Sequence, residues 1–193
     1  MIFDLLRFHK PDEENGYLSN WYIRNFTIAG KTYCCVEQYM MEQKALLFND
    51  YEIANQIMAQ TDPQEMQKLG RQVENFHQVL WDAYKQLIVY KALLAKFEQN
   101  PDLMRDLLNT KTATFVECSR SDKVWGIGLG MHDEIKYIDE WPGQNNSKGD
   151  ADTIEIAKKT KKHPIKRPNP IMVNVDEMAE QTEGYQTVET EKN

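Results

Sequence analysis

Val36-Glu37-Gln38-Tyr39-Met40-Met41-Glu42-Gln43-Lys44-Ala45-Leu46-Leu47-Phe48 decides the fold. Val36, Tyr39, Met40, Gln43 and Leu47 recur at the helical period and predict a helix over Cys35–Phe48 with one inward stripe. Glu37 and Lys44 flank that stripe two turns apart. At about 100° per residue they lie about 20° apart around the axis, with Cα atoms about 10 Å apart. Lys44 leans back toward the N-terminus, so one small ligand group can touch both. Glu37 also sits in the first turn, where a carboxylate is favoured. From spacing alone, two solvated helix charges are the simpler reading.

Upstream, Phe26–Ile28 and Lys31–Cys34 around Ala29-Gly30 predict a short hairpin. Downstream, Asn49-Asp50 opens a second helix with Ile53, Ile57 and Met58 inside. Asp62-Pro63-Gln64-Glu65 combines a cap residue, a first-position proline and a Glu, and Gly70 stops the helix it starts. Phe76–Gln99 predicts the longest helix, with Val79, Leu80, Tyr84, Leu87, Ile88, Leu94 and Phe97 inward. Asn100-Pro101 starts a short one to about Asn109, and Thr112–Glu117 is β-branched and aromatic, a short strand. The fold class is therefore mainly α with a small β-sheet (α+β).

The chain has 193 residues, 41% hydrophobic, with 23 Lys plus Arg against 30 Asp plus Glu and a net charge of −7. That suits one core and disfavours broad binding to polyanions, although a local basic cluster can still hold a phosphate. No apolar run approaches the roughly 20 residues of a membrane span, and no secretory signal is visible, so a cytoplasmic location is expected. Cys34, Cys35 and Cys118 lack metal-site spacing, and the histidines are scattered, so no metal is expected. Residues 17–142 hold all four tryptophans and eight of nine tyrosines. Residues 1–150 read as one domain. Residues 151–193 read as a weakly helical to disordered polar tail with a basic run, Lys158-Lys159-Thr160-Lys161-Lys162.

From Ser119 to Gln144 no period holds, and a long loop of this kind is usually functional. It carries Asp122, Trp125-Gly126-Ile127-Gly128 and Trp141-Pro142-Gly143-Gln144. Two tryptophans among glycines offer stacking faces and close backbone approach to a ligand, or else they plug the core. Gly16-Tyr17-Leu18-Ser19-Asn20-Trp21-Tyr22 places an amide beside aromatics. Leu69-Gly70-Arg71 puts an arginine at a helix end, suited to a phosphate.

These segments together resemble the NADAR domain, the YbiA-like family of riboflavin-biosynthesis-intermediates N-glycosidases. The resemblance rests on Leu18-Ser19-Asn20-Trp21, Phe26 to Tyr33, Val36 to Ala45, Asp62-Pro63, Leu69-Gly70-Arg71 and Trp81. It continues through Lys96-Phe97, Leu107-Leu108, Val116-Glu117-Cys118-Ser119, Asp122, Trp125 to Gly128 and Trp141 to Asn145. It covers about residues 15–146 and departs after Asn145, where Asn146-Ser147-Lys148-Gly149 replaces the family's apolar pair.

The resemblance implies an N-glycosidase acting on an N-ribosidic bond, without a metal or organic cofactor. The implied substrates are ribosylamino-pyrimidine phosphates or ADP-ribose on a guanine base, including in nucleic acid. No membrane and no obligate protein partner are implied. By position Glu37, Lys44 and Asp122 match the catalytic residues. Asn20, Trp21, Tyr39, Arg71, Trp125, Gly126, Trp141 and Asn145 would line the pocket. Losing a base builds positive charge at C1′, which a carboxylate stabilises while an acid protonates the leaving nitrogen. Lys44, with a lowered pKa, can attack C1′ and form a Schiff base, or instead clamp a phosphate or the ribose, and Asp122 would anchor a water or hydroxyl. The alternative is a non-catalytic module that binds ADP-ribose or another NAD derivative.

Overall fold

Helix start and stop chemistry sets the frame. The structure, a computed structural model, describes residues 5–111, 113–135 and 140–146. The expected tail, residues 151–193, lies outside the described residues. Among the described residues five α-helices follow one hairpin: α1 Val36–Leu47, α2 Tyr51–Met58, α3 Pro63–Gly70, α4 Gln78–Gln99 and α5 Pro101–Asn109. Asp50 caps α2 by accepting the Ile53 N–H at 3.1 Å. Asp62 caps α3 by accepting the Gln64 N–H at 2.9 Å, with Pro63 at the first helical position.

Among the described residues four short strands form two separate pairs rather than one small sheet. β1 is Leu5–Phe8, β2 Phe26–Ile28, β3 Lys31–Tyr33 and β4 Thr114–Glu117. β2 and β3 make the expected antiparallel hairpin, with Phe26 opposite Tyr33. β1 pairs in parallel with β4, Leu5 opposite Thr114 and Phe8 opposite Glu117. Sequence reading missed β1, because Leu5-Leu6-Arg7-Phe8 does not alternate and its partner lies far along the chain. Arg7 extends the pairing by donating to the Met131 and Asp133 carbonyls, both at 2.9 Å.

The core lies between α1 and the elements that wrap it. Val36, Ala45 and Ile57 are sealed from solvent, with Met66, Leu93 and Phe115 beside them. Gly70 does more than end α3: it is buried, and a Cβ there would overlap the Met41 thioether, so its bareness sets how closely α3 approaches α1.

One expectation fails on α4. Val79, Leu80 and Leu87 face solvent, at 73%, 39% and 50% exposure. Phe97 is buried as expected, and the rest of the buried stripe is Trp81, Val89, Ala92, Leu93 and Lys96. At about 100° per residue Leu80 and Leu87 fall roughly opposite that stripe. A lysine inside it disguised the register. Lys96 is fully buried, and its Nζ donates to the carbonyls of Tyr17 at 2.8 Å and Ser19 at 3.0 Å. Those bonds replace its hydration and pin the turn that leads to Asn20 and Trp21.

Candidate active site

The Glu37 face of α1 opens into a cavity of about 460 Å³. Seven residues singled out in the sequence line it: Asn20, Trp21, Glu37, Lys44, Arg71, Asp122 and Trp125. They arrive from the turn after Leu18, from α1, from the end of α3 and from the loop after β4. A second cavity of about 700 Å³ adjoins the first and shares the wall formed by Trp21, Arg71, Glu117 and Asp122. His9, Lys10, Ser121 and Lys123 line its other side.

Glu37 is 2% exposed, and its Oε1 has no hydrogen-bond partner. Burial pushes its carboxyl up to about 8, and the nearby Glu117 and Asp122 charges push the same way. A hydrogen bond from Trp21 and the Arg71 guanidinium pull against that rise without cancelling it. At neutral pH the carboxyl therefore carries a proton. Its backbone N–H donates to the Asn20 carbonyl at 3.0 Å, which ties the first turn of α1 to the Asn20–Trp21 segment.

Lys44 is half-buried between two rings. Its Nζ lies 4.3 Å from the centroid of Phe76 and 5.7 Å from that of Trp81, and it donates to the Gly70 carbonyl at 2.7 Å. Burial lowers its pKa, and Arg71 adds to that effect while Glu37 opposes it. A lysine so placed has a larger neutral fraction than a surface one, and only the neutral amine is a nucleophile.

Asp122 spends one oxygen on its own loop. Oδ1 accepts the N–H groups of Val124 at 2.8 Å and Trp125 at 2.9 Å, which sets the Trp125 turn at the cavity. Arg71 caps α3 through its backbone, and its side chain meets Gln67 Oε1 at 2.9 Å on the rim.

The other four expected pocket residues lie outside the wall of the first cavity. Tyr39 is 5% exposed in the core, edge-on to Tyr33 at 4.9 Å. Trp141 packs beside Val116, Cys118 and Ile127. Asn145 is fully buried and clamps β4: its Nδ2 donates to the Phe115 carbonyl at 3.0 Å, and its Oδ1 accepts the Glu117 N–H at 3.2 Å. Gly126 packs against backbone on the side a Cβ would occupy. A Cβ there would stand 2.8 Å from the Asp122 carbonyl oxygen and 3.0 Å from that of Glu117. Gly143 answers it, since its own Cβ would overlap the Gly126 carbonyl oxygen. The glycines let two loop segments lie against each other, with Gly143 N–H donating to Ile127 at 2.8 Å and Ile127 N–H to Glu117 at 2.9 Å.

Sequence reasoning missed Glu117, Phe76 and Trp81 as lining residues. Glu117 ends a strand, a position that reads as packing, and Trp81 lies off the stripe that the sequence assigns to the inner face of α4. Among the described residues no group of His, Cys, Asp and Glu is placed to hold a metal ion, and no helix is long and apolar enough to cross a membrane.

The NADAR domain family model matches residues 7–148, the whole stretch that builds these cavities. The chain belongs to the NADAR domain family. Among NADAR relatives, N-glycosidase R617 of Acanthamoeba polyphaga mimivirus is 43% identical over 133 residues, 66% of this chain and 78% of that one. N-glycosidase YbiA of Escherichia coli strain K12 is 31% identical over 124 residues, 64% of this chain and 76% of that one. The NMR structure of E. coli YbiA superposes with a TM-score of 0.69 at 27% identity, covering 84% of this chain and 90% of that one. The NADAR fold is thus mainly α with small β elements, as the sequence predicts.

Proposed function

We propose that this chain is an N-glycosidase that hydrolyses an N-ribosidic bond, with Glu37 and Lys44 as its central pair. One observation carries the reading: a buried carboxyl with an unpartnered oxygen and a half-buried lysine face the same cavity from one helix. A protonated Glu37 can give its proton to the leaving base nitrogen. Lys44 Nζ attacks C1′, the C1′–N bond to the base breaks, and ring opening leaves a Schiff base on Lys44. Water then releases the sugar. Trp21 and Trp125 supply flat faces for a base, and Asn20 an amide for its edge.

The substrate is a phosphorylated riboside: ADP-ribose on a guanine base, in or out of nucleic acid, or a ribosylamino-pyrimidine phosphate. Lys10, Lys123 and Arg71 around the second cavity support this, because they gather positive charge beside the first cavity in an otherwise acidic chain. A protein that only binds ADP-ribose gains nothing from a proton donor and a lysine of lowered pKa facing one cavity.

The test is incubation with guanine-ADP-ribosylated DNA, NAD and a ribosylamino-pyrimidine phosphate, with released base or ADP-ribose read by mass. Release of base from one of them, abolished by Lys44→Ala, is expected. Tight ADP-ribose binding with no release from any of the three would leave a binding module.

A further inference from the structure

We propose that Glu117 is a second catalytic carboxylate, the general base that activates the water of the releasing step. This rests on the Lys44 reading above and extends it to a residue outside the Glu37–Lys44 helix.

Geometry places it. Glu117 is the last residue of β4, and its side chain lines both cavities at their shared wall. Its backbone is fixed on both sides: the N–H donates to buried Asn145, and the carbonyl accepts from Ile127. The same cavity is lined by Glu37, almost wholly buried, with Oε1 unpartnered. The two carboxyls therefore meet one space from opposite environments. The sealed one favours its neutral form. The half-buried one stands beside a larger cavity carrying Arg71, Lys10 and Lys123. The Glu117 charge itself helps to keep Glu37 protonated. A sealed carboxyl and a more open one lining the same cavity can divide acid and base work.

The step balances. Water adds to C1′ of the protonated Schiff base: a C1′–O bond forms, the C=N electron pair moves to Nζ, and one water proton passes to Glu117. Nζ then takes that proton back and leaves C1′ with the electrons of the breaking C–N bond. The new hydroxyl gives its proton to solvent, leaving the free sugar aldehyde and a regenerated lysine. Glu37 is not needed in this half.

The prediction separates the two halves. On a guanine-ADP-ribosylated oligonucleotide, or on the ribosylamino-pyrimidine phosphate if wild type cleaves that instead, Glu117→Gln should release about one base per enzyme in a burst. Turnover should then slow at least about 10²-fold, the scale of one lost general base. Intact mass should show the sugar retained on Lys44. Glu117→Asp keeps a carboxylate and should recover part of the steady rate; should the Gln variant fail to fold, the Asp variant carries the test through a smaller burst-to-steady ratio. Steady turnover of folded Glu117→Gln close to wild type, or loss of the burst together with turnover, overturns the role. Absence of a burst from Glu117→Asp, where it stands in for an unfolded Gln variant, overturns it equally. Failure of borohydride to trap an adduct on wild type while base is still released overturns the Lys44 reading itself, and with it this proposal. The two failures are read in different proteins.

Discussion

Lys44 donates a 2.7 Å hydrogen bond from Nζ to the carbonyl oxygen of Gly70, the last residue of α3. The bond spends one N–H and fixes the amine under the Phe76 ring, so the rest of Nζ points at the cavity rather than swinging in solvent. Borohydride added during turnover should trap a sugar adduct on Lys44, found by peptide mass. Lys44→Ala should abolish both adduct and turnover. Lys44→Arg keeps the charge but not the nucleophile, and should be as inactive as alanine. An active arginine variant without adduct would make Lys44 a clamp.

Glu37 sets a pH limit with a definite sign. Its folded pKa, about 8, is raised above the ordinary value of 4.5. The stability it contributes is fully present below about 4.5 and is lost as pH rises through about 8, because the folded state must then ionise a sealed carboxyl. Thermal melts across that window should show wild type losing on the order of a few kcal/mol relative to Glu37→Gln, which cannot ionise. Activity should fall above about pH 8 in wild type. Glu37→Gln should lose at least about 10²-fold in kcat while still binding ligand.

Asn145 should act through stability. Asn145→Ala strips the partner from two backbone groups, Glu117 N–H and the Phe115 carbonyl, and leaves a non-glycine residue at φ +48° without its amide. A loss of about 2–4 kcal/mol is expected. Urea titration should show a lower midpoint with an unchanged slope, since the surface exposed on unfolding stays the same.

Glycines in the loop should differ sharply. Gly143→Ala drives a methyl into the Gly126 carbonyl oxygen, a backbone atom that cannot step aside, and should cost about 3 kcal/mol or more. Gly130→Ala meets only the guanidinium of exposed Arg120, starting at 3.1 Å, and should stay within about 1 kcal/mol of wild type. Paired thermal melts decide it. Equal effects would mean that the close approach of the two loop segments does not limit stability.

Much of the cavity wall was legible because its signals are local. Glu37 and Lys44 are related by helical period alone, and Asp122 stands three residues from the tryptophan whose turn it sets. What stayed hidden depends on partners far along the chain. Leu5-Leu6-Arg7-Phe8 becomes a strand only because β4 lies beside it. Glu117 reads as a strand end until α1 is brought opposite. Gly126, Trp141 and Asn145 carry the same composition whether they hold a ligand or hold the loop together, and here their neighbours are protein. The face of α4 was misjudged because a lysine that finds two carbonyls can occupy a buried position that hydropathy assigns to leucine.

Arg7 reaches the Met131 carbonyl across 124 residues of sequence, and β1 waits almost as long for β4. Closing so large a loop costs entropy before any contact repays it, whereas α1, α2 and α3 are neighbours in order along the chain. On the ribosome, Glu37 and Lys44 can therefore stand on a finished helix while the segment bearing Glu117, Asp122 and Trp125 has yet to emerge. A nascent chain in that state holds its lysine without the wall that aims it. The cavity wall is therefore complete only once synthesis has passed the loop that carries Trp125.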